Sequence, residues 1–366
     1  MKIRNYYLFI IILIICINSL SMKVSGKNSE GRILFTSQGN LWVINPDGTK
    51  EEKICDITDY RELLFSPSKK KLAGIKDNDL FIMNWDGTGG LNVSKSPEIE
   101  CINSFSPDGD KVICAVKATM EDTRGFLGII SINGTTYVKV KEFMITPKQS
   151  ISWSPDKQRV TLIVNNKLYI MSVRGEWVKN LGDENLQKIN PYNPSWSPDG
   201  KRIAFRANKS GTGDLWIINI ESEGHRSLYI SKVLSKKSEL PRAAEWSPGG
   251  EALVFEAPNQ NSKENNIYMV YVDGTLKLLG KGYKPFWSLD GKKILCESEE
   301  GKLRVFNTGI YSYSSSRNYP PFWSPEFFRL AYTNPVKKEI WILDIEKNKH
   351  KFLTGRNSKV LGWLED

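Results

Sequence analysis

The chain has 366 residues, of which 40% are hydrophobic, 25% charged and 11% aromatic, ordinary figures for a globular protein with a large core. Lys and Arg number 51 against 41 Asp and Glu, a formal charge of +10. The basic residues are dispersed and no basic run carries interleaved aromatics, which argues against a nucleic-acid surface. The 11 Trp and 14 Tyr favour a β-rich fold, because flat rings pack well on pleated sheets.

Residues 1–26 read as an export signal. Lys2 and Arg4 precede the apolar run Tyr6 to Ile17, Asn18-Ser19 ends it, and Val24-Ser25-Gly26 offers small residues to a signal peptidase. The run is shorter than the roughly 20 residues a spanning helix needs. A retained N-terminal anchor is the alternative, whereas Ile15 stands where a lipoprotein signal at Cys16 would carry Gly, Ala or Ser. The expectation is an extracytoplasmic protein (periplasmic, cell-surface or secreted) that meets a membrane only through this segment.

Removing Cys16 leaves Cys55, Cys101, Cys114 and Cys296, with no C-x-x-C pair to suggest a metal or redox motif. Cys101 and Cys114 flank one predicted hairpin turn and are expected on the same face of it. An oxidising compartment would allow a disulfide there, but two unpaired core thiols are the favoured reading.

From residue 27 onward the chain repeats itself. An aromatic residue followed by Ser, then usually Pro, occurs at Phe65-Ser66-Pro67, Phe105-Ser106-Pro107, Trp153-Ser154-Pro155, Trp196-Ser197-Pro198, Trp246-Ser247-Pro248, Trp287-Ser288-Leu289 and Trp323-Ser324-Pro325. The spacing of about 36 to 50 residues is that of one propeller blade. The clearest copy runs Trp196-Ser197-Pro198-Asp199-Gly200-Lys201-Arg202-Ile203-Ala204-Phe205. Pro presets the first corner of a tight turn, and Asp and Gly tolerate the rest of it. A second hairpin follows in most units, as where Leu41 to Ile44 leads into Asn45-Pro46-Asp47-Gly48-Thr49, with Asp-Gly at the tip. Two hairpins in series make one four-stranded blade. A helical solenoid would need apolar residues at 3.6 spacing over ten or more positions, and the short alternating runs here lack it.

Second strands begin near Ile33, Leu72, Val112, Val160, Ile203, Leu253, Ile294 and Leu330. That predicts an all-β, eight-bladed propeller over residues 27–366, with seven blades as the alternative if one unit is degenerate. Lys359 to Leu364 reads as a first strand lacking a second, and Gly31 to Phe35 as a second lacking a first. Pairing them would close the ring and remove its edges.

The Trp-Ser-Pro-Asp-Gly-Lys unit resembles the WD-like propeller repeat of the TolB family and is similar to the propeller domains of prolyl oligopeptidases and dipeptidyl peptidase IV. The resemblance covers residues 31 to 366. It implies a rigid platform that binds a protein or a cell-envelope polymer. TolB carries an α/β domain and six blades, neither of which is expected here. The peptidases add a hydrolase domain with G-x-S-x-G, and no such pentapeptide occurs. Oligogalacturonate lyases, also built on a WD-like propeller, use a His cluster around a metal, whereas this chain has only His225 and His350.

The turn carboxylates Asp108, Asp156, Asp199 and Asp290 are expected to cap their own turns rather than hold metal. Trp153, Trp196, Trp246, Trp287, Trp323 and Trp363 are expected to pack between blades. If the two kinds of Asp-Gly turn share one face, the opposite face carries the blade-to-blade connections, with Tyr60, Arg61, Glu100, Tyr192, Asn193, Arg242, Tyr283, Lys284 and Tyr319. It also carries the middle-strand loops, long at Ala118 to Gly125, Ala207 to Asp214 and Ala257 to Asn266. Tyr and Arg combine contact area with directional polar groups, so this face is the expected binding site. The sequence thus predicts a monomeric, non-enzymatic binding scaffold without catalytic residues, metal or cofactor, with a propeller-based carbohydrate-active or peptide-cleaving enzyme (a hydrolase or polysaccharide lyase) as the alternative.

Overall fold

The computed structural model describes residues 31–364 apart from short stretches, the longest being 146–150, 182–190, 209–212, 229–243, 259–263, 309–323 and 325–328. The export segment therefore lies outside the described residues, as do Trp323, Arg242 and Tyr319.

Eight antiparallel sheets form a propeller ring. Six have four described strands, and the seventh and eighth have three each. The predicted second strands fall where expected, beginning at Arg32, Lys71, Lys111, Arg159, Arg202, Ala252, Lys293 and Arg329. In blade 5, for example, Pro191–Trp196 pairs with Arg202–Asn208, which pairs with Gly213–Asn219 and then with His225–Leu228.

Each sheet presents two apolar faces, one to each neighbour. Ile203 and Phe205 pack with Leu168 and Ile170 of blade 4, while Ala204 between them packs with Trp246 and Leu253 of blade 6. The second strands are accordingly buried along almost their whole length, as in Ala252–Ala257. Eight such apolar layers exist, one between every pair of successive blades.

The chain closes the ring on itself. Ser358–Leu364 pairs antiparallel with Arg32–Ser37, setting Ile33 opposite Trp363 and Thr36 opposite Lys359. Trp363 is 0% exposed and the Arg329 guanidinium of blade 8 lies 5.6 Å from its ring centroid. Gly31, at φ +61°, is a position only glycine fills, since a Cβ would meet the Leu364 carbonyl oxygen at 2.2 Å.

The aromatic anchors work between blades. The Trp246 indole donates to the Ser195 carbonyl of blade 5 at 3.0 Å, and Trp287 to the Glu245 carbonyl of blade 6 at 3.0 Å. Arg159 and Arg202 stack over the Trp196 and Trp246 rings of the following blades, at 4.9 and 5.1 Å. The Ser after each anchor clamps its turn. Ser197, 0% exposed, donates to Asp199, and its Oγ accepts the Arg202 N–H at 3.0 Å. Asp199 in turn accepts the Lys201 N–H at 3.0 Å. Burial opposes ionisation of Asp108, Asp156 and Asp199, but the Ser hydroxyls and turn N–H groups outweigh it and hold these carboxyls below their ordinary range.

One strand-level expectation is corrected. Cys101 and Cys114 lie on opposite faces of blade 3, Cys101 against blade 4 and Cys114 against blade 2. A bulge between Ile102 and Ser104 inserts a residue, and one residue reverses the face of everything beyond it. Both thiols are free and buried.

Two stability changes follow. Ser197→Ala leaves Arg202 N–H and Asp199 without their shared partner and should cost about 1–3 kcal/mol in urea unfolding. Trp363→Ala should cost about 3–5 kcal/mol and raise the hydrogen-exchange rate of Arg32–Ser37 amides before those of blade 4.

Candidate functional site

The two faces of the ring are separated by backbone hydrogen bonds. On one, the second-hairpin turns meet the anchor turns, with Ile220 N–H bonded to Lys201 C=O and Val272 N–H to Glu251 C=O, both at 3.0 Å. On the other, blade-to-blade connections meet the middle-strand turns. There Ile57 N–H bonds Gly39 C=O at 2.9 Å, Glu100 N–H bonds Asn78 C=O at 3.0 Å, and Gly282 N–H bonds Asn265 C=O at 2.9 Å. The site residues anticipated from sequence that fall among the described residues belong to this second face.

Tyr60 and Arg61 sit in the connection from blade 1 to blade 2. The Tyr60 ring meets Phe81 edge-on at 6.2 Å, and Lys76 Nζ lies 5.9 Å from its centroid. Gly74, opposite Leu63, makes room for it, because a Cβ there would stand 2.7 Å from the ring. Arg61 reaches the next blade, donating from its guanidinium to the Glu100 carbonyl oxygen at 2.8 Å.

Glu100 itself turns inward. It is 0% exposed, and its carboxylate accepts the Ser94 hydroxyl at 3.2 Å and the Tyr137 hydroxyl at 3.4 Å. Burial, with Asp79 nearby, pushes its pKa up to about 7 against the pull of the Ser94 hydrogen bond. Glu100 therefore belongs to the support of the site rather than to its surface.

The remaining anticipated residues occupy the same station of other blades. Tyr192 pairs with the fully buried Arg206, whose guanidinium donates to the Glu256 carbonyl at 3.2 Å. Tyr283 pairs with Glu297. Lys284 donates its N–H to Glu256 Oε2 and its ammonium to Glu297 Oε2, each at 2.7 Å. Asn193 and Lys284 have φ near +50°, at irregularities in the first strands of blades 5 and 7. The structure thus brings Tyr60, Arg61 and Glu100 together and leaves Tyr192, Tyr283 and Lys284 around the ring. Of the three long loops, Ala118 to Gly125, Ala207 to Asp214 and Ala257 to Asn266 each run partly outside the described residues.

Between blades 1 and 2, on this face, lies a cavity of about 450 Å³, within the roughly 300–1,000 Å³ typical of small-ligand pockets. One wall is the turn Thr36 to Gly39, a second is the connection with Thr58, Tyr60 and Arg61, and a third is Asn357, Lys359 and Leu361. Ile57 and Leu63 add apolar surface. Sequence reading found Tyr60 and Arg61 but missed Asn357, Lys359 and Thr36. The signal was present in the expected pairing of head and tail, yet the bulge at Leu34/Phe35 made the partners of individual residues uncertain.

His225 and His350 lie on the outermost described strands of blades 5 and 8. They do not meet in the ring, so they do not fit a histidine-based metal centre. His350 Nδ1 is 2.9 Å from the Tyr332 hydroxyl.

No protein-family profile matches the chain. An uncharacterized peptidase of Bacillus subtilis, YuxL, is 25% identical over 155 residues, which span 41% of this chain and 22% of the relative's length. An oligogalacturonate lyase in complex with manganese superposes with a TM-score of 0.51 at 12% identity, over 73% of this chain and 81% of that one. A prolyl endopeptidase structure gives 0.51 at 11% identity, over 90% and 50% of the two chains. TolB of Acinetobacter baumannii gives 0.44 at 14% identity, over 90% and 82%. At these identities the lyase and the endopeptidase are similar in fold. The expectation of a non-enzymatic chain is corrected: a relative named as a peptidase and a lyase of similar fold remove the ground for excluding catalysis. That expectation rested on a missing pentapeptide and few His, and a fold shared by binding modules and enzymes does not separate them.

The Glu100 carboxyl carries a pH signature. Its ordinary pKa is 4.5 and the folded value about 7, so its contribution to stability is fully present below about pH 4.5 and is lost as pH rises through 7. Urea unfolding of the wild type should weaken over that window by up to about 3 kcal/mol more than unfolding of Glu100→Gln.

Proposed function

We propose that this propeller is an extracytoplasmic recognition platform that binds an extended polypeptide across the face bearing the blade-to-blade connections. The observation that carries this is the joining of Tyr60 and Arg61, both from the connection between blades 1 and 2, in the wall of a cavity. Tyr192, Tyr283 and Lys284 lie further around the same face. Aromatic and Arg side chains at such positions supply contact area and directional hydrogen bonds at low entropic cost. Export through residues 1–26 is supported by the positive start and apolar run. A polypeptide is preferred to a cell-surface polysaccharide because of the 155-residue match to a protein named as a peptidase.

The same match favours a second reading, in which the bound polypeptide is also cut. The two readings separate in one preparation. Purified protein is passed over immobilised envelope proteins of the producing cell and incubated with a fluorogenic peptide pool. Retention without fluorescence release supports the platform alone, and release proportional to protein concentration supports cleavage. Substituting Arg61 and Tyr283 together by Ala should reduce retention at least about tenfold with an unchanged circular-dichroism spectrum; undiminished retention would place the binding surface elsewhere.

A further inference from the structure

The cavity at the seam of blades 1 and 2 has a chemical character of its own. Two cationic side chains, Arg61 and Lys359, line it, together with hydroxyl and amide groups of Thr36, Thr58 and Asn357, and none of the described lining residues carries a carboxylate. The acidic residues beside its lining segments have partners of their own, Glu62 accepting the Ile102 N–H at 2.8 Å. Asp56 accepts both the N–H and the hydroxyl of Thr58, at 2.8 and 2.6 Å, and Asp59 pairs with Lys76 at 2.7 Å. Ile57, Leu63 and Leu361 add aliphatic side chains to the same lining, Ile57 and Leu361 largely buried.

Arg61 is positioned before any ligand arrives. Its guanidinium is tied at 2.8 Å to the Glu100 carbonyl, on a strand whose buried carboxyl is hydrogen-bonded to Ser94 and Tyr137. A guanidinium has five N–H donors in a planar fork, and a prepositioned fork loses less freedom on binding a carboxylate. Lys359 is exposed and approaches from the closing strand, so the two cations come from segments that meet only when the ring closes.

We propose that this cavity captures the C-terminal carboxylate of the bound polypeptide, with the last side chain, an apolar one, against Ile57, Leu63 and Leu361. This rests on the platform reading above and sharpens it to chain ends. A terminal carboxylate beside an apolar side chain matches the pairing of cations with an aliphatic wall. A pyranose ring matches less well: it would set its hydroxyls against that wall, and Tyr60 already has Phe81 and Lys76 against its ring.

The test uses the full-length protein and two fluorescein-labelled hexapeptide pools, randomised except for a C-terminal leucine, one ending in the free acid and the other in the amide. Fluorescence anisotropy should show the free-acid pool bound at least about tenfold more tightly. Lys359→Gln and Arg61→Gln should each erase most of that difference by weakening binding of the free-acid pool. Lys359 is exposed, so its variant keeps the test valid should Arg61→Gln disturb folding. Equal binding of both pools would overturn terminal capture and leave the platform reading intact. Binding of neither pool would overturn both. Displacement by inorganic phosphate, combined with indifference to amidation, would overturn the proposal in favour of a general anion site.

Discussion

Everything in this molecule depends on the apolar layer between successive blades. A single four-stranded sheet has two hydrophobic faces and cannot bury either alone. Each face is covered by the next sheet, and the eighth layer, between blades 8 and 1, covers the last one. Trp363 and Val360 on the final strand and Ile33 and Phe35 on the first described strand belong to that layer. Burial on this scale, roughly 25 cal/mol for each Å² of apolar surface, is what holds a ring whose blades share few backbone hydrogen bonds.

The polar chemistry is arranged around that layer rather than within it. The buried Ser of each anchor ties its own turn, and the Trp246 and Trp287 indoles each reach the blade before them. On the opposite face a carboxylate can serve the neighbouring blade, as Glu256 does for Lys284 and Glu62 for Ile102. These bonds register one blade against the next, where an apolar contact alone would tolerate sliding. The cavity follows from the same geometry: a connection and a turn converge at each blade boundary, and at the closure seam a third segment joins them.

The candidate site was half legible. Tyr60 and Arg61 were recognisable because connections before a first strand have a fixed place in a propeller and their side chains suit binding. Glu100, equally well placed by that logic, turned inward, since face assignment depends on local bulges invisible in the one-dimensional pattern. The same cause reversed Cys101 with respect to Cys114. Catalysis was a different matter. Missing motifs carry little weight on a fold used by lyases and peptidases alike, and the similarity to a protein named as a peptidase corrected the earlier exclusion.

By itself the sequence determined the number of blades, the strand that opens each of them, and the joining of head to tail. These are consequences of periodicity: turn residues and apolar alternation act over a few positions and recur, so they are readable along the chain. Only the tertiary structure decided that Lys359 and Asn357 stand beside Thr36 and Arg61, and which side chains of a bulged strand face the channel, the core or the neighbour. Such choices depend on registers between distant segments, as where Thr36 meets Lys359 across 323 residues, and a one-residue shift in any of them exchanges inside for outside.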